Sequence, residues 1–240
     1  MQEWEYDPPP DIDESMAETL QNFPREPKML PYTIRSIASL LLRGWMRVYH
    51  RLQIEGRENL PGTGSLVLVC NHTSHLDTLC MMCAVPLAKI HRTFPAAAAD
   101  YFFSSLPRSA ISAILINALP FNREAKGAES LAVCAKLLEN EGNVLIIFPE
   151  GTRTTTGEMG RFRSGIGRLV AGTDLAVLPC YLEGGLRAWP KGKLVARPRK
   201  LRLRIGEAQT YEHLGKKAES VRAVCRDLEQ RVARLGRQHE

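Results

Sequence analysis

No apolar run in this 240-residue chain reaches the roughly 20 residues that a membrane-spanning helix needs; the best candidate, at 31 to 52, is broken by Arg43. Zinc-finger spacing is absent, and so are the aromatic stacking signatures of nucleic-acid modules. Gly165-Ile166-Gly167 invites a dinucleotide reading, but Arg-Leu-Val follows where the pattern requires a further glycine. No internal repeat is visible, and no secretory leader is expected. The cysteines lie mostly in apolar runs (Cys70, Cys134, Cys180, Cys225), so reduced thiols in a cytoplasmic setting are expected. These gaps weigh against nucleic acid as a partner, and a non-catalytic basic adaptor for membrane or nucleic acid stands as the alternative to an enzyme.

What is present is an uneven charge. Residues 1 to 30 hold eight acids against two bases, which leaves that segment at −6 and the remainder at +12 within a net +6. A body this basic suits a phosphate-bearing partner, an anionic membrane surface included. The acidic segment also carries Pro8-Pro9-Pro10 and few large apolar side chains, and reads as a flexible tail. Residues 31 to 52 follow as an amphipathic helix. Arg35, Arg43, Arg47 and Arg51 recur at multiples of four, opposite Ile34, Ile37, Leu41, Trp45, Val48 and Leu52. That pattern is expected either to lie in a membrane interface or to pack on the domain.

Residues 53 to 240 alternate strands and helices. Buried strands are expected at 66 to 70 (LVLVC), 143 to 148 (NVLIIF) and 175 to 182 (LAVLPCYL), where Pro179 signals an irregularity or an edge. A short strand is expected at 118 to 121, and KLRLRIG alternates Lys200, Arg202 and Arg204 with apolar residues like a strand with one wet face. Helices are expected at about 74 to 85, 126 to 140, 164 to 172 and 217 to 236. The fold class is therefore α/β, a mixed, largely parallel central sheet flanked by helices, with an N-terminal amphipathic membrane-interface helix.

His72 stands at the turn after the strand at 66 to 70, and Asp77 five residues later. An imidazole and a carboxylate so spaced suit a general base and its orienter. They equally suit a capping box, with Ser74 as cap and Asp77 reaching back to it. Spacing alone leaves both open. His72, His75, Cys80 and Cys83 also spell a zinc-like pattern, but the two pairs are too close in sequence to wrap a domain around a metal, and no metal or cofactor is expected. Arg123 follows the strand at 118 to 121, and Glu150, Gly151, Thr152 and Arg153 follow the one at 143 to 148. Parallel strands put their carboxyl ends on one edge, so these clusters should share a cleft with His72. A base, two arginines and a glycine-relieved loop suggest proton removal beside a bound phosphate.

NHTSHLD and FPEGTR, with LPFNRE between them and VLPCYLEG after, resemble the motif blocks of the PlsC-like glycerolipid acyltransferases, the 1-acylglycerol-3-phosphate acyltransferase family. The resemblance covers about residues 45 to 205. It implies acyl transfer from acyl-CoA or acyl carrier protein, as co-substrate, to a hydroxyl of a lysophospholipid, on the cytoplasmic side of a membrane. By that similarity His72 is the base and Asp77 its partner, while Arg123, Glu150, Gly151, Thr152 and Arg153 hold the acceptor. The second block departs mildly, as does Cys180 at a usually aliphatic place. The chemistry is compatible: an alcohol needs a base whose pKa is near neutrality, and a thiolate leaves without strong acid assistance. A rival within the same residues pairs Cys70 with His72 as a thiolate dyad for thioesterase or ping-pong chemistry.

Overall fold

The computed structural model describes residues 29–98, 117, 119–121, 127–193 and 195–237. The acidic segment expected to be a tail lies almost wholly outside these, as does Arg123. Within them, β1 (Gln53–Glu55), β2 (Leu66–Cys70), β3 (Thr93–Ala98), β4 (Leu119–Phe121), β5 (Val144–Ile147), β6 (Ala176–Glu183) and β7 (Arg202–Ile205) form one sheet in the order β1-β7-β6-β2-β5-β3-β4. The five strands from β6 to β4 run parallel, and β7 pairs antiparallel to β6 and parallel to β1. The sheet is thus mixed and largely parallel, as its sequence predicts.

Strands buried on both faces explain the continuous apolar runs. Val67, Val69, Leu145, Ile147 and Val177 meet the side chains of α3 (Gly127–Glu139), α4 (Ser164–Val170) and α6 (Ala218–Arg237). Their alternates Leu66, Leu68, Cys70, Val144, Ile146 and Leu178 meet α2 (Leu76–Ala84) and Met46 of α1 (Met29–Val48). Truncating a fully buried residue such as Ile146 to alanine would cost about 2–5 kcal/mol. Pro179 does mark an irregularity: the pairing on the β7 side is broken between the Val177–Gln209 bridge and the Cys180–Ile205 pair.

One expectation is corrected. The strand at 200 to 205 has no simple wet face, because Arg204 is only 3% exposed and makes ion pairs with Glu55 of β1 and Glu183 of β6. On α1, Arg35 is 3% exposed, and the Arg43 guanidinium donates to the carbonyls of Met82, Cys83 and Val85 at the end of α2. These two members of the basic stripe face the protein. The outward face carries Ile34, Ile37, Leu40, Leu41 (70% exposed), Trp45 and Val48 (80%). For Arg43 the compensation for burial is the C-terminus of α2, whose last carbonyls have no partners within the helix and accept from the guanidinium.

Candidate active site

Three strand ends build the site, each at the carboxyl edge of the parallel strands. After β2 come Asn71 and His72. Asn71 is buried and is not spent on chemistry: its Oδ1 accepts from the Leu182 N–H at 2.7 Å and its amide donates to the Leu182 carbonyl at 3.2 Å, tying β2 to β6. The backbone leaving β2 is thereby held rigid.

The His72 ring donates through Nδ1–H to Asp77 Oδ2 at 2.9 Å. The same oxygen accepts the backbone N–H groups of Thr73 at 2.6 Å and Ser74 at 2.8 Å. The capping and orienting readings are therefore one arrangement, in which Asp77 binds the turn it terminates and the ring beside it. Ser74 Oγ accepts from the Leu76 N–H, and α2 starts one residue later than the capping box predicts. Asp77 is 0% exposed, while the His72 side chain keeps 14%. Phe148, just past β5, stacks on the imidazole with centroids 4.2 Å apart. Among the described residues Nε2 has no hydrogen-bond partner. In the neutral ring, an Nδ1–H that donates to Asp77 leaves the lone pair on Nε2.

The loop after β5 grips the backbone of His72 from both sides. Glu150 Oε1 accepts the His72 N–H at 2.7 Å, and the Thr154 N–H donates to the His72 carbonyl at 2.9 Å. The second Glu150 oxygen accepts the Gly160 N–H at 2.8 Å, closing the loop from 151 to 160. Burial pushes the Glu150 carboxyl above its ordinary range, against the pull of those two N–H groups. Gly151 turns the chain at φ 73°, where a Cβ would lie 2.7 Å from the Arg163 side chain. Thr152 is exposed on the loop. Arg153 is half-buried, and its Nη1 donates to His75 Nε2. The structure thus brings Glu150 to the backbone of His72 and Arg153 to His75, on the turn that carries the His72–Asp77 pair, with Glu150 facing protein N–H groups.

The end of β6 supplies a residue that the sequence reading missed. Gly185 opens the short helix α5 (Gly185–Ala188), and a Cβ there would lie 2.7 Å from Thr73 Oγ1 and 3.0 Å from Asp77 Oδ1. Its signal is the second glycine of Glu183-Gly184-Gly185, one residue past the quoted block. Cys70, by contrast, lies in the core with its thiol on Asn71 Oδ1, and burial pushes it well above an ordinary thiol, which speaks against a thiolate nucleophile. Cys80 is equally buried, and Cys83 is pushed up to about 11. Among the described residues no three His, Cys, Asp or Glu side chains gather where they would hold a metal.

A protein-family model described as Acyltransferase matches residues 51–183, which span all of these contacts except those of Gly185. This chain belongs to that acyltransferase family, in its PlsC-like branch. It is an O-acyltransferase. A 1-acyl-sn-glycerol-3-phosphate acyltransferase of Bacillus subtilis is 29% identical over 82% of this chain and 90% of its own length. A chloroplastic 1-acyl-sn-glycerol-3-phosphate acyltransferase from Arabidopsis thaliana is 29% identical over 60% of this chain, and a 1-acyl-sn-glycerol-3-phosphate acyltransferase from Cocos nucifera is 30% identical over 55%. The chain spans about two fifths of those two plant proteins, 39% and 42%. Among solved structures, a crystal structure titled as the 1-acyl-sn-glycerophosphate (LPA) acyltransferase PlsC from Thermotoga maritima shares the fold, with a TM-score of 0.64 over 94% of this chain and 90% of that one at 20% identity.

Proposed function

We propose that this acyltransferase moves an acyl group from an acyl thioester, acyl-CoA or acyl carrier protein, to the free hydroxyl of 1-acylglycerol 3-phosphate, giving phosphatidate. The observation that carries the reading is His72, held at Nδ1 by a buried carboxylate with Nε2 left to accept a proton. Nε2 takes the proton of the acceptor hydroxyl as its oxygen attacks the thioester carbonyl. The C–O bond forms, the tetrahedral intermediate collapses, the C–S bond breaks, and the thiolate leaves to be protonated. Asp77 fixes the ring's tautomer and stabilises the imidazolium. Such base catalysis is worth about 10² to 10⁴ in rate, with positioning supplying much of the rest. Arg153, with Arg123 from the preceding motif block, meets the acceptor phosphate. Glu150, Gly151 and Thr152 act by shaping the loop, since the Glu150 oxygens are already engaged by backbone N–H groups.

The setting that fits is the cytoplasmic surface of a membrane, with the protein peripheral to it. Among the described residues no helix is long and apolar enough to cross a membrane. An apolar helix face turned outward, beside the exposed cations Lys191, Lys193, Arg197, Arg199 and Lys200, supports binding to an anionic interface. Two assays test the reading. Acyl-CoA with 1-acylglycerol 3-phosphate should release free thiol and give a product with the mass of phosphatidate; no acyl transfer to that acceptor would defeat it. Leu41→Glu with Val48→Glu should release the protein from vesicles containing anionic lipid, and unchanged partitioning would refute the membrane face.

A further inference from the structure

We propose that His75 is a positioning residue for the acceptor: its neutral imidazole, accepting at Nε2, holds the Arg153 guanidinium on the turn that carries the His72–Asp77 pair so that the acceptor phosphate meets a cation already in place. The inference rests on the reading of Arg153 as a phosphate-binding residue. It goes further by assigning a role to a side chain inside the first motif that neither the base nor its orienter uses.

The chemistry of the contact leaves one assignment. An arginine in a protein stays protonated and has no lone pair to offer, so Arg153 Nη1 is the donor. His75 Nε2 must then be the acceptor, which makes the ring neutral with its proton on Nδ1. Surroundings agree: burial first, then the Arg153 charge, pushes His75 protonation below its ordinary range. The ring is not spent on its own helix, because His75 precedes α2 with no side-chain capping bond. Trp189 lies against it, ring centroids 5.1 Å apart, and is held in turn by Ser74 Oγ donating to its carbonyl at 2.9 Å and by its indole N–H on the Lys193 carbonyl at 2.7 Å. A free arginine side chain explores many rotamers, and a phosphate that must order it loses affinity accordingly. His75 orders the guanidinium before the acceptor arrives. Its loss should therefore fall on the acceptor KM.

The test is a double-mutant cycle on the full chain, with acyl-CoA and 1-acylglycerol 3-phosphate, comparing wild type, His75→Ala, His75→Gln, Arg153→Ala and the double variant His75→Ala/Arg153→Ala. His75→Ala should raise the acceptor KM about tenfold, the usual scale for a lost hydrogen bond to a charged group, with a much smaller effect on kcat and on the acyl-CoA KM. His75→Gln should recover most of the loss, because its amide oxygen also accepts, and it carries the test if the alanine variant does not fold. The double variant should be no worse than Arg153→Ala alone. Additive losses, a loss confined to kcat, or a rise in the acyl-CoA KM instead would overturn the proposal. If Arg153→Ala raises the acceptor KM while His75→Ala does nothing, only the His75 role falls. If Arg153→Ala itself leaves the acceptor KM unchanged, the phosphate-binding reading falls and takes this one with it.

Discussion

Gly185→Ala replaces one hydrogen with a methyl group, carries no charge, and lies more than a hundred residues from His72 in sequence. It should nevertheless damage catalysis. The new Cβ would sit 2.7 Å from Thr73 Oγ1, 3.0 Å from Asp77 Oδ1 and 3.1 Å from Ser74 Cβ. Ordinary contacts between such atoms fall at about 3.5–4.0 Å, so something must move. None of the three atoms is the end of a long flexible side chain; all belong to the turn from 73 to 77 that Asp77 holds through bonds of 2.6 to 2.9 Å. A methyl group there drives the carboxylate off the His72 ring by a few tenths of an ångström. Since a misplacement of about 1 Å costs about a hundredfold in rate, kcat should fall about tenfold or somewhat more. Overpacking of this kind costs about 1–3 kcal/mol of stability, so the protein should still fold. Thiol release from acyl-CoA in the presence of 1-acylglycerol 3-phosphate reads the first effect and thermal unfolding the second. Gly215→Ala, with open space around its Cβ, is the control. A folded Gly185→Ala variant with wild-type kcat would refute the placement of the Asp77 carboxylate.

Further predictions follow from the other contacts. Glu150→Gln keeps one accepting oxygen but turns an amide N–H₂ toward a backbone N–H, so kcat should fall about tenfold with little change in acceptor KM; the reverse split would make Glu150 a substrate ligand. Arg43→Ala removes charge-assisted bonds to three α2 carbonyls and should cost about 2–3 kcal/mol, read as a lower urea midpoint, with Arg43→Lys recovering only part. An unchanged midpoint would refute the clamp. Burial pushes His50, His75 and His91 below the ordinary 6.5. The unfolded chain then takes up protons below about 6.5 that the folded chain refuses, so stability should decline as pH falls through that value. Glu150, raised by burial, acts in the opposite sense, one group against three, in a window above 4.5. Urea midpoints at pH 7.5 and 5.5 check the sign, and a higher midpoint at the lower pH would contradict it.

The strands at the centre were legible because both of their faces are buried: LVLVC and VLII are uninterrupted and β-branched, and their alternate residues enter different cores. Their common direction, and hence the meeting of His72 with the loop after β5, followed from the helices between them. Edges were harder. Arg202 and Arg204 alternate like a wet face, yet their partners Glu55 and Glu183 come from strands whose adjacency only the folded sheet reveals. The orientation of α1 was hidden for a similar reason, since an arginine counts as polar in any periodicity, and only the α2 carbonyls show that Arg43 belongs inside. At the site, the spacing of His72 and Asp77 was sufficient to pair them. It could not choose between cap and orienter because a carboxylate oxygen can accept from the ring and from two backbone N–H groups together. The engagement of Glu150 with the backbone of His72 depends on β2 and β5 being neighbours, and the need for glycine at 185 on how closely the end of β6 approaches the turn from 73 to 77.

The central claim is that the His72 ring, oriented by Asp77, deprotonates the acceptor hydroxyl. Turnover of His72→Ala with saturating acyl-CoA and 1-acylglycerol 3-phosphate tests it most directly. A loss of about 10² to 10⁴ in kcat, in a protein with an undisturbed unfolding transition, is the expected result. A folded His72→Ala variant that turns over at close to the wild-type rate would contradict the account.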